Sequence, residues 1–436
     1  MNTPKKILEE AKTIDKQYDT LVTLNEDLPK KGIPIVVKDN ICTQGLRTTA
    51  GSEILHDYIP VFDATVIKRL KDAGFYVVGK AAQDEFGFGT FSTNCFFKVP
   101  KNPNDIERSC GGSSGGTAAY IKASKLVNYG LGQSTGGSIS CPAAFCGVVG
   151  LTPTYGLVSR YGLIDYANSF DKIGPITKTV KQSAEILNII SGYDSNDQTS
   201  VQRDKEDYTS YCGQDISKMK IGVVKEFFSE DIDKRIRDNV WVAIKKLESL
   251  GAKYEEVSIP LQDYVVPTYY ILATAEASTN LAKYCGLRYG MSSDLEGYYD
   301  DYFSTVREMG FGKEAKRRIL LGTFIRMVGY RDAYYIKAMK LRTKIIKEYK
   351  KLFKKFDVLV GPTMPVLPPR FTDIEKLSPV ENYMMDILTI PSNLAGMPSL
   401  SVPVDEVDNL PVGMQFMADH FEEKKLIMLG DAYEQG

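Results

Sequence analysis

The sequence carries two neighbouring glycine- and serine-rich stretches, 111-GGSSGGTAAY-120 and 132-GQSTGGSISCPAAFCGVVG-150, and a lysine upstream in 33-IPIVVKDN-40. A serine can serve as a nucleophile and a lysine as its base. Backbone N–H groups of glycines can approach a reacting carbonyl because no Cβ blocks them. A glycine–serine run is also typical of a flexible linker, but the apolar flank AAFCGVVG is typical of a buried core. The region therefore predicts a site for acyl transfer.

Strand and helix patterns alternate around these stretches. The apolar run at 33–37 predicts a strand, the periodicity of 63–74 predicts a helix, and 76–81 predicts a second strand. This β-α-β order indicates an α/β fold with a mixed or largely parallel sheet. The small residues after GGSSGG predict a helix that begins there, so its free N–H groups would lie beside the serines.

The remainder of the chain indicates one continuous domain over residues 1–436. A polar stretch without periodicity precedes a new strand near 218–224, and a helix follows at 232–250. We predict four parts: a core at about 30–190, a polar excursion at about 194–217, a helix-rich substrate-side region at about 230–355, and C-terminal strands and a helix at 356–436.

The composition excludes several classes of protein. The chain has 54 basic and 55 acidic residues, so nothing in its composition argues for a polybasic surface, and any RNA is expected to be held mainly by another chain. Seven cysteines without a C-x-x-C spacing favour a reduced compartment over a disulfide framework, and we predict no metal site. The polar start and the lack of a long apolar run predict a cytoplasmic protein with no membrane partner, and leave open a mature organellar form.

Histidine is scarce in this chain. His56 and His420 are the only two, and neither adjoins a serine stretch. A Ser-His-Asp triad would have only these two candidates for its base. The sequence predicts both histidines on the surface.

The serine stretches and the lysine together resemble the amidase signature family. Three further segments carry the resemblance along the chain: 150-GLTPTYGLVSRYGLI-164, 170-FDKIGPITKTV-180 and 391-PSNLAGMPSLSVPV-404. Three longer segments resemble, more narrowly, the A subunits of tRNA-dependent amidotransferases: 269-YYILATAEASTNLAKYCGLRYG-290, 309-MGFGKEAKRRILLGTF-324 and 332-DAYYIKAMKLRTKI-345. The resemblance implies the amidase-signature fold, a central mixed β-sheet flanked by helices on both faces.

The resemblance implies a Ser-Ser-Lys catalytic apparatus. Ser138 would be the nucleophile, Ser113 the bridging serine after a cis Gly112–Ser113 bond, and Lys38 the base. Adjacent Ser114 remains an alternative to Ser113. A lysine that is neutral near pH 7 needs its pKa lowered by roughly three units from about 10.4, which burial against apolar residues would supply.

The nucleophile stretch would also supply the oxyanion hole. The resemblance implies the N–H groups of Thr135, Gly136 and Gly137, together with that of the nucleophile. The family usually has an aspartate and an arginine where this chain has Ser134 and Ser140. We expect neutral hydrogen bonds to replace a supporting ion pair there.

The resemblance also implies a glutamine-binding set. It consists of Tyr269, Arg318 and Asp386, with Arg317 as the alternative to its neighbour. A guanidinium suits the α-carboxylate of glutamine and a carboxylate suits its α-ammonium group.

The implied function is that of a glutaminase subunit in a heterotrimer. Ammonia released from glutamine would pass to a B subunit, which would hold ATP, Mg²⁺ and most contacts to misacylated Glu-tRNA(Gln) or Asp-tRNA(Asn). A small C subunit would complete the complex. This chain has no G-x-x-x-x-G-K-[ST] phosphate loop, so we expect no cofactor of its own. The alternatives are a free-standing amidase for small amides and a non-catalytic scaffold subunit.

Overall fold

The computed structural model describes residues 3–294 and 297–436. The strands in these residues are β1 (Leu21–Leu24), β2 (Ile33–Lys38), β3 (Phe75–Ala81), β4 (Lys101–Asn102), β5 (Asp105–Ser109), β6 (Tyr129–Ser134), β7 (Val149–Thr152), β8 (Lys172–Thr177), β9 (Lys220–Val224), β10 (Lys253–Val257), β11 (Val358–Pro362), β12 (Ser399–Val407) and β13 (Leu410–Ala418). The α-helices are α1 (Pro4–Tyr18), α2 (Thr65–Asp72), α3 (Gly115–Ala123), α4 (Ser140–Cys146), α5 (Val180–Ile190), α6 (Lys234–Ser249), α7 (Val265–Asn280), α8 (Tyr299–Gly310), α9 (Lys313–Arg326), α10 (Lys337–Leu352), α11 (Phe371–Ile374), α12 (Pro379–Met384), α13 (Ile390–Leu394) and α14 (Glu423–Gln435).

Eleven of these strands form one mixed sheet in the order β1-β3-β2-β6-β8-β7-β12-β13-β11-β9-β10. The strands β3, β2 and β6 pair in parallel, as do β11, β9 and β10, and the strands between these two groups pair antiparallel. The α/β fold with a central mixed sheet is thus confirmed. The division of the chain into four parts stays a prediction.

Both faces of the sheet are buried along its central strands, which explains the apolar character of strands such as β2 and β8. In β2, Ile35 and Val37 belong to one hydrophobic cluster, and Val36 between them belongs to a second. Successive side chains of a strand point to opposite faces, so each cluster lies under a separate layer of helices.

The order of the elements brings the lysine and the serine stretches to one edge of the sheet. Parallel neighbours β2 and β6 end at Lys38 and Ser134, so their carboxyl ends meet at the same edge. The loop from Thr135 to Ile139 joins β6 to α4, and α3 begins at Gly115, directly after the two serines. Loops beyond the carboxyl ends of parallel strands are where ligands bind in α/β sheets.

The helix-rich region lies beside this edge. Helix α7 packs against α9 and α10. In the parts of the chain that the structure describes, no helix is both long and apolar enough to cross a membrane.

Candidate active site

Lys38 is fully buried at the end of β2 and contacts the first serine stretch. Its Nζ lies 2.6 Å from Ser113 Oγ and donates to the carbonyl oxygen of Gln133 at 2.9 Å and to Gln133 Oε1 at 3.1 Å. Burial lowers the pKa of Lys38 to about 7, although the carboxylates of Asp84 and Asp171 oppose the shift. A substantial fraction of this lysine is therefore neutral near pH 7.

The two adjacent serines have different partners. The Gly112–Ser113 peptide bond is cis, and Ser113 is the serine whose hydroxyl reaches Lys38. Ser114 instead donates its hydroxyl to the Gln133 carbonyl at 3.1 Å and its backbone N–H to the Ser138 carbonyl at 3.2 Å. Of the two alternatives that the sequence leaves open, the geometry favours Ser113 as the bridging serine.

The nucleophile loop presents a row of unpaired N–H groups beside Ser138. Among the described residues, no protein acceptor receives a hydrogen bond from the backbone N–H of any residue from 135 to 138. The loop passes close to its neighbours: a Cβ on Gly137 would overlap the hydroxyl of Thr389, so a glycine is required there. Unpaired N–H groups beside a serine hydroxyl are the chemical requirement for stabilising an oxyanion.

Asp171 accepts a hydrogen bond from the first residue of this loop and was not predicted from the sequence. Its Oδ1 accepts from the Thr135 hydroxyl at 2.6 Å, and its Oδ2 accepts from the N–H groups of Tyr166 and Ala167 at 2.8 and 3.0 Å. Burial raises the pKa of Asp171 to about 7. Asp171 lies in the segment 170-FDKIGPITKTV-180, which the resemblance already includes. No residue pattern within that segment indicates that Asp171 contacts the loop from Thr135 to Ile139.

Tyr269 lies against the nucleophile loop from α7. It is buried, and its hydroxyl is 3.0 Å from the position that a Cβ on Gly136 would occupy. Its ring packs edge-on against Phe170 and Tyr270. The structure thus brings this predicted substrate residue to the oxyanion loop.

Arg318 is enclosed in an aromatic box, and Arg317 is not. Arg318 donates from Nε to Glu314 at 2.9 Å and from Nη1 to the Tyr166 hydroxyl at 2.6 Å, whereas Arg317 lies part-exposed in an ion pair with Glu314. The guanidinium carbon lies 5.2–5.6 Å from the centres of four rings, those of Phe88, Tyr166, Tyr270 and Tyr383. A cation so enclosed keeps its charge in a low-dielectric site, where it attracts an anion strongly.

Asp386 contacts the same aromatic group, through Tyr270. Its Oδ2 accepts from Thr90 Oγ1 and from the Tyr270 hydroxyl, both at 3.0 Å. Burial raises the pKa of Asp386 to about 6, so the carboxyl is mostly ionised at pH 7. Because Tyr270 contacts both Asp386 and Arg318, the two predicted charges share one wall of the site; Tyr270 itself was missed, although it adjoins Tyr269.

Ser134 and Ser140, which stand where the family usually has an aspartate and an arginine, do not hydrogen-bond to each other in the described structure. The Ser134 hydroxyl accepts from Asn393 Nδ2 at 2.8 Å, and the same Nδ2 donates to the carbonyl oxygen of Gly136. Ser140 is buried, and its hydroxyl makes no hydrogen bond within the described residues. Neutral hydrogen bonds do brace the loop, but they come from Asn393, which sequence reasoning did not single out.

Replacing Asn393 with alanine is expected to lower the free energy of unfolding by about 1–3 kcal/mol, because it removes the donor to both Ser134 and the Gly136 carbonyl. Chemical denaturation measures this change. The matched control is Ser140→Ala, which should change stability by no more than about 0.5 kcal/mol. If Ser140→Ala proved as harmful as Asn393→Ala, the assignment of Asn393 as the brace would be wrong.

The two histidines bond to backbone carbonyls away from the serines. His56 bonds to the Glu53 carbonyl and His420 to the Ala395 carbonyl, and neither bonds to Ser113 or Ser138. Within residues 3–294 and 297–436 no group of three or more His, Cys, Asp or Glu side chains is arranged to hold a metal ion.

Fold and site together define an amidase, and comparison with known proteins agrees. The Amidase family model matches residues 2–427, and the chain belongs to this family. The chain is 45% identical over 456 residues to the A subunit of glutamyl-tRNA(Gln) amidotransferase from Thermoanaerobacter pseudethanolicus, covering 100% of this chain and 92% of the relative. It is 48% identical to the protein of the same name from Halothermothrix orenii, over 97% of this chain and 88% of the relative.

A solved structure extends the similarity to the fold. The A subunit of glutamyl-tRNA(Gln) amidotransferase from Thermotoga maritima matches with a TM-score of 0.86 and 43% identity, covering 100% of this chain and 91% of that one. The resemblance to amidotransferase A subunits drawn from the sequence is thus confirmed.

Proposed function

We propose that this chain is the glutamine-hydrolysing subunit of a tRNA-dependent amidotransferase. The observation that carries the proposal is the contact of 2.6 Å between the buried Lys38 amine and Ser113, beside a loop that offers the Ser138 hydroxyl and unpaired N–H groups. That contact supplies a base of suitable pKa for a serine that has no histidine partner in the described structure.

The proposed reaction begins with attack of Ser138 Oγ on the side-chain amide carbon of glutamine. The hydroxyl proton passes through Ser113 to neutral Lys38, and the N–H groups of the loop stabilise the oxyanion. Lys38 then returns the proton through Ser113 to the departing nitrogen, which leaves as ammonia. Water attacks the γ-glutamyl ester on Ser138 by the same proton path and releases glutamate.

The charged wall suits the zwitterionic end of glutamine. Nη2 of Arg318 makes no hydrogen bond to a described residue and is free for the α-carboxylate, and Oδ1 of Asp386 is likewise free for the α-ammonium group. Tyr269 would line the path between this wall and the oxyanion loop. A free-standing amidase for small neutral amides would have no use for two buried charges of opposite sign.

The ammonia would be used by a partner. The relatives are named as subunits, so we propose a B subunit that binds ATP, Mg²⁺ and misacylated tRNA, and a small C subunit, as the three-chain assembly. The near-neutral charge of this chain is consistent with a partner that holds most of the tRNA. We propose Glu-tRNA(Gln), Asp-tRNA(Asn) or both as the final acceptors, and the cytoplasm as the location.

Removing either substrate charge is expected to penalise glutamine selectively. Arg318→Ala and Asp386→Asn should each cost about 2–4 kcal/mol in kcat/KM for glutamine, because a buried charge-assisted contact is lost. Hydrolysis of a neutral amide such as propionamide should fall much less. Arg317→Ala is the matched control on the same helix and should leave both substrates near wild type. Equal losses on both amides would favour the free-standing amidase.

The pH dependence of glutamine binding should follow Asp386. Its carboxylate is present above a pKa of about 6 and is protonated below it. The KM for glutamine is therefore expected to rise as the pH falls through about 6, and Asp386→Asn should remove this rise. Steady-state kinetics across this pH range measures both effects. A rise that persists in Asp386→Asn would assign it to another group.

The whole proposal is tested by co-expressing the chain with its candidate B and C subunits. The complex should hydrolyse glutamine and amidate Glu-tRNA(Gln) or Asp-tRNA(Asn) with ATP. The isolated chain serves as the comparison. A complex that assembles and amidates with free ammonia, but never with glutamine, would support the scaffold alternative instead.

A further inference from the structure

We propose that Gln133 is a positioning residue that holds the Lys38 amine in the one orientation from which it exchanges its proton with Ser113. This inference rests on the proposed function and concerns how its base is aimed. Gln133 lies in β6, directly beside β2, five residues before Ser138, and it is fully buried.

The Lys38 Nζ atom has three positions for an N–H group or a lone pair, and each of them faces a polar partner. The backbone carbonyl and the side-chain Oε1 of Gln133 take two of them, at 2.9 and 3.1 Å, and Ser113 Oγ lies in the third at 2.6 Å. A neutral amine has two N–H donors and one lone pair. When both N–H groups donate to Gln133, the lone pair is left facing Ser113, and this is the arrangement that a base needs.

The Gln133 amide is itself prevented from turning over. Its Nε2 donates to Thr135 Oγ1 at 2.7 Å and to Asp171 Oδ1 at 3.0 Å, and its Oε1 also accepts from Asn40 Nδ2 at 3.1 Å. A reversed amide would place its oxygen against the Asp171 carboxylate and its NH₂ group against the donors of Asn40 and Lys38. The carbonyl oxygen is therefore fixed toward the lysine.

The Gln133 amide also connects Lys38 to the nucleophile loop from Thr135 to Ile139, through hydrogen bonds to both. Thr135, which receives one of the Nε2 hydrogen bonds, is the first residue of the loop that carries Ser138. One side chain thus sets both the direction of the Lys38 amine and the start of the loop. A carbonyl dipole aimed at an amine also stabilises its charged form, so loss of the Gln133 side chain is expected to lower the pKa of Lys38.

Two substitutions separate this role from simple packing. Gln133→Met keeps the length of the side chain and removes both polar atoms, while Gln133→Glu keeps the shape and adds a negative charge beside Lys38. The charged groups that face Lys38 are Asp84 and Asp171, and both remain in each variant. Gln415→Leu is the control, because Gln415 is another buried strand glutamine whose amide donates to backbone carbonyls, those of Pro362 and Leu388.

The measurement is the rate at which phenylmethanesulfonyl fluoride modifies Ser138 in the assembled complex, followed by intact-mass spectrometry at a series of pH values around 7. Glutamine hydrolysis is measured over the same pH range. The reagent reports activation of the serine without the glutamine-binding charges. In the wild type, the rate should rise with pH with a midpoint near the Lys38 pKa of about 7. Gln133→Met should lower the midpoint by about one unit, because an acceptor for the ammonium form is lost, and should lower the plateau rate by roughly 10- to 100-fold.

Gln133→Glu should move the midpoint the other way, upward by about one unit or more, because a carboxylate favours the ammonium form. If Gln133→Met does not fold, the midpoint of Gln133→Glu alone tests the proposed role of Gln133. Gln415→Leu should keep the wild-type midpoint. Unshifted midpoints in folded Gln133 variants, with a normal wild-type profile, would overturn this inference and leave the proposed function standing. A wild type without a pH midpoint near 7 would contradict both.

Discussion

Replacing Ser138 with alanine is expected to abolish glutamine hydrolysis, by roughly 10⁴-fold or more, because it removes the hydroxyl on which the proposed acyl-enzyme forms. The chain should still fold and assemble, since Ser138 Oγ makes no hydrogen bond within the described structure. Amidation of misacylated tRNA by the complex should survive when free ammonia is supplied. The loss should therefore appear in the glutaminase step alone.

Ser140→Ala is the matched control for this variant. Ser140 lies two residues further along, is also buried, and makes no side-chain hydrogen bond to a described residue, so glutamine turnover should stay near wild type. Ammonia release by Ser138→Ala at a rate close to wild type would show that the nucleophile lies elsewhere.

Replacing Lys38 with arginine is expected to reduce glutamine turnover by roughly 10²- to 10⁴-fold, because arginine keeps its proton and cannot act as a base. In the wild type, turnover should increase as the pH rises through about 7, since Lys38 becomes neutral above its lowered pKa. The arginine variant should retain at most a small rate without this midpoint. A pH–rate profile of kcat/KM measures both.

Lys172→Met is the control for the chemistry of a buried lysine. Lys172 is also buried, donates to the Met397 carbonyl at 2.8 Å, and has its pKa lowered to about 7 by burial. Its backbone pairs with Ser134 between β8 and β6, but within the described residues its amine bonds to neither Ser113 nor Ser138. This variant should keep the wild-type midpoint even if it is less stable. An active Lys38→Arg variant would rule out a neutral lysine as the base.

Local sequence pattern predicts much of the frame of the site. The apolar run before Lys38 forms strand β2, and the periodic segment at 63–74 contains α2. The helix expected at GGSSGG begins within that run, at Gly115. These elements follow from side-chain periodicity and from glycine at helix ends, which act within a few residues. The edge at which they meet follows from the parallel pairing of β2 with β6.

The supporting contacts could not be predicted in this way, because they join distant segments. Gln133 meets Lys38 across 95 residues, and Asn393 meets Ser134 across 259. A buried amide satisfies its donors and acceptors wherever the fold supplies partners, and one sequence does not record which partners those are. The choice between Ser113 and Ser114, and between Arg317 and Arg318, likewise depends on side-chain direction.

Ser138 is expected to carry a γ-glutamyl ester during turnover. The most direct test mixes the assembled complex with glutamine, quenches it in acid within a turnover, and maps the glutamyl group by peptide mass spectrometry. We expect a glutamyl adduct on the peptide that contains Ser138 in the wild type, and none in Ser138→Ala or Lys38→Arg. An adduct on Ser113 or Ser114 would contradict the assignment of Ser138 as nucleophile. So would ammonia release by the wild type without an adduct on any serine, under conditions in which deacylation is slow.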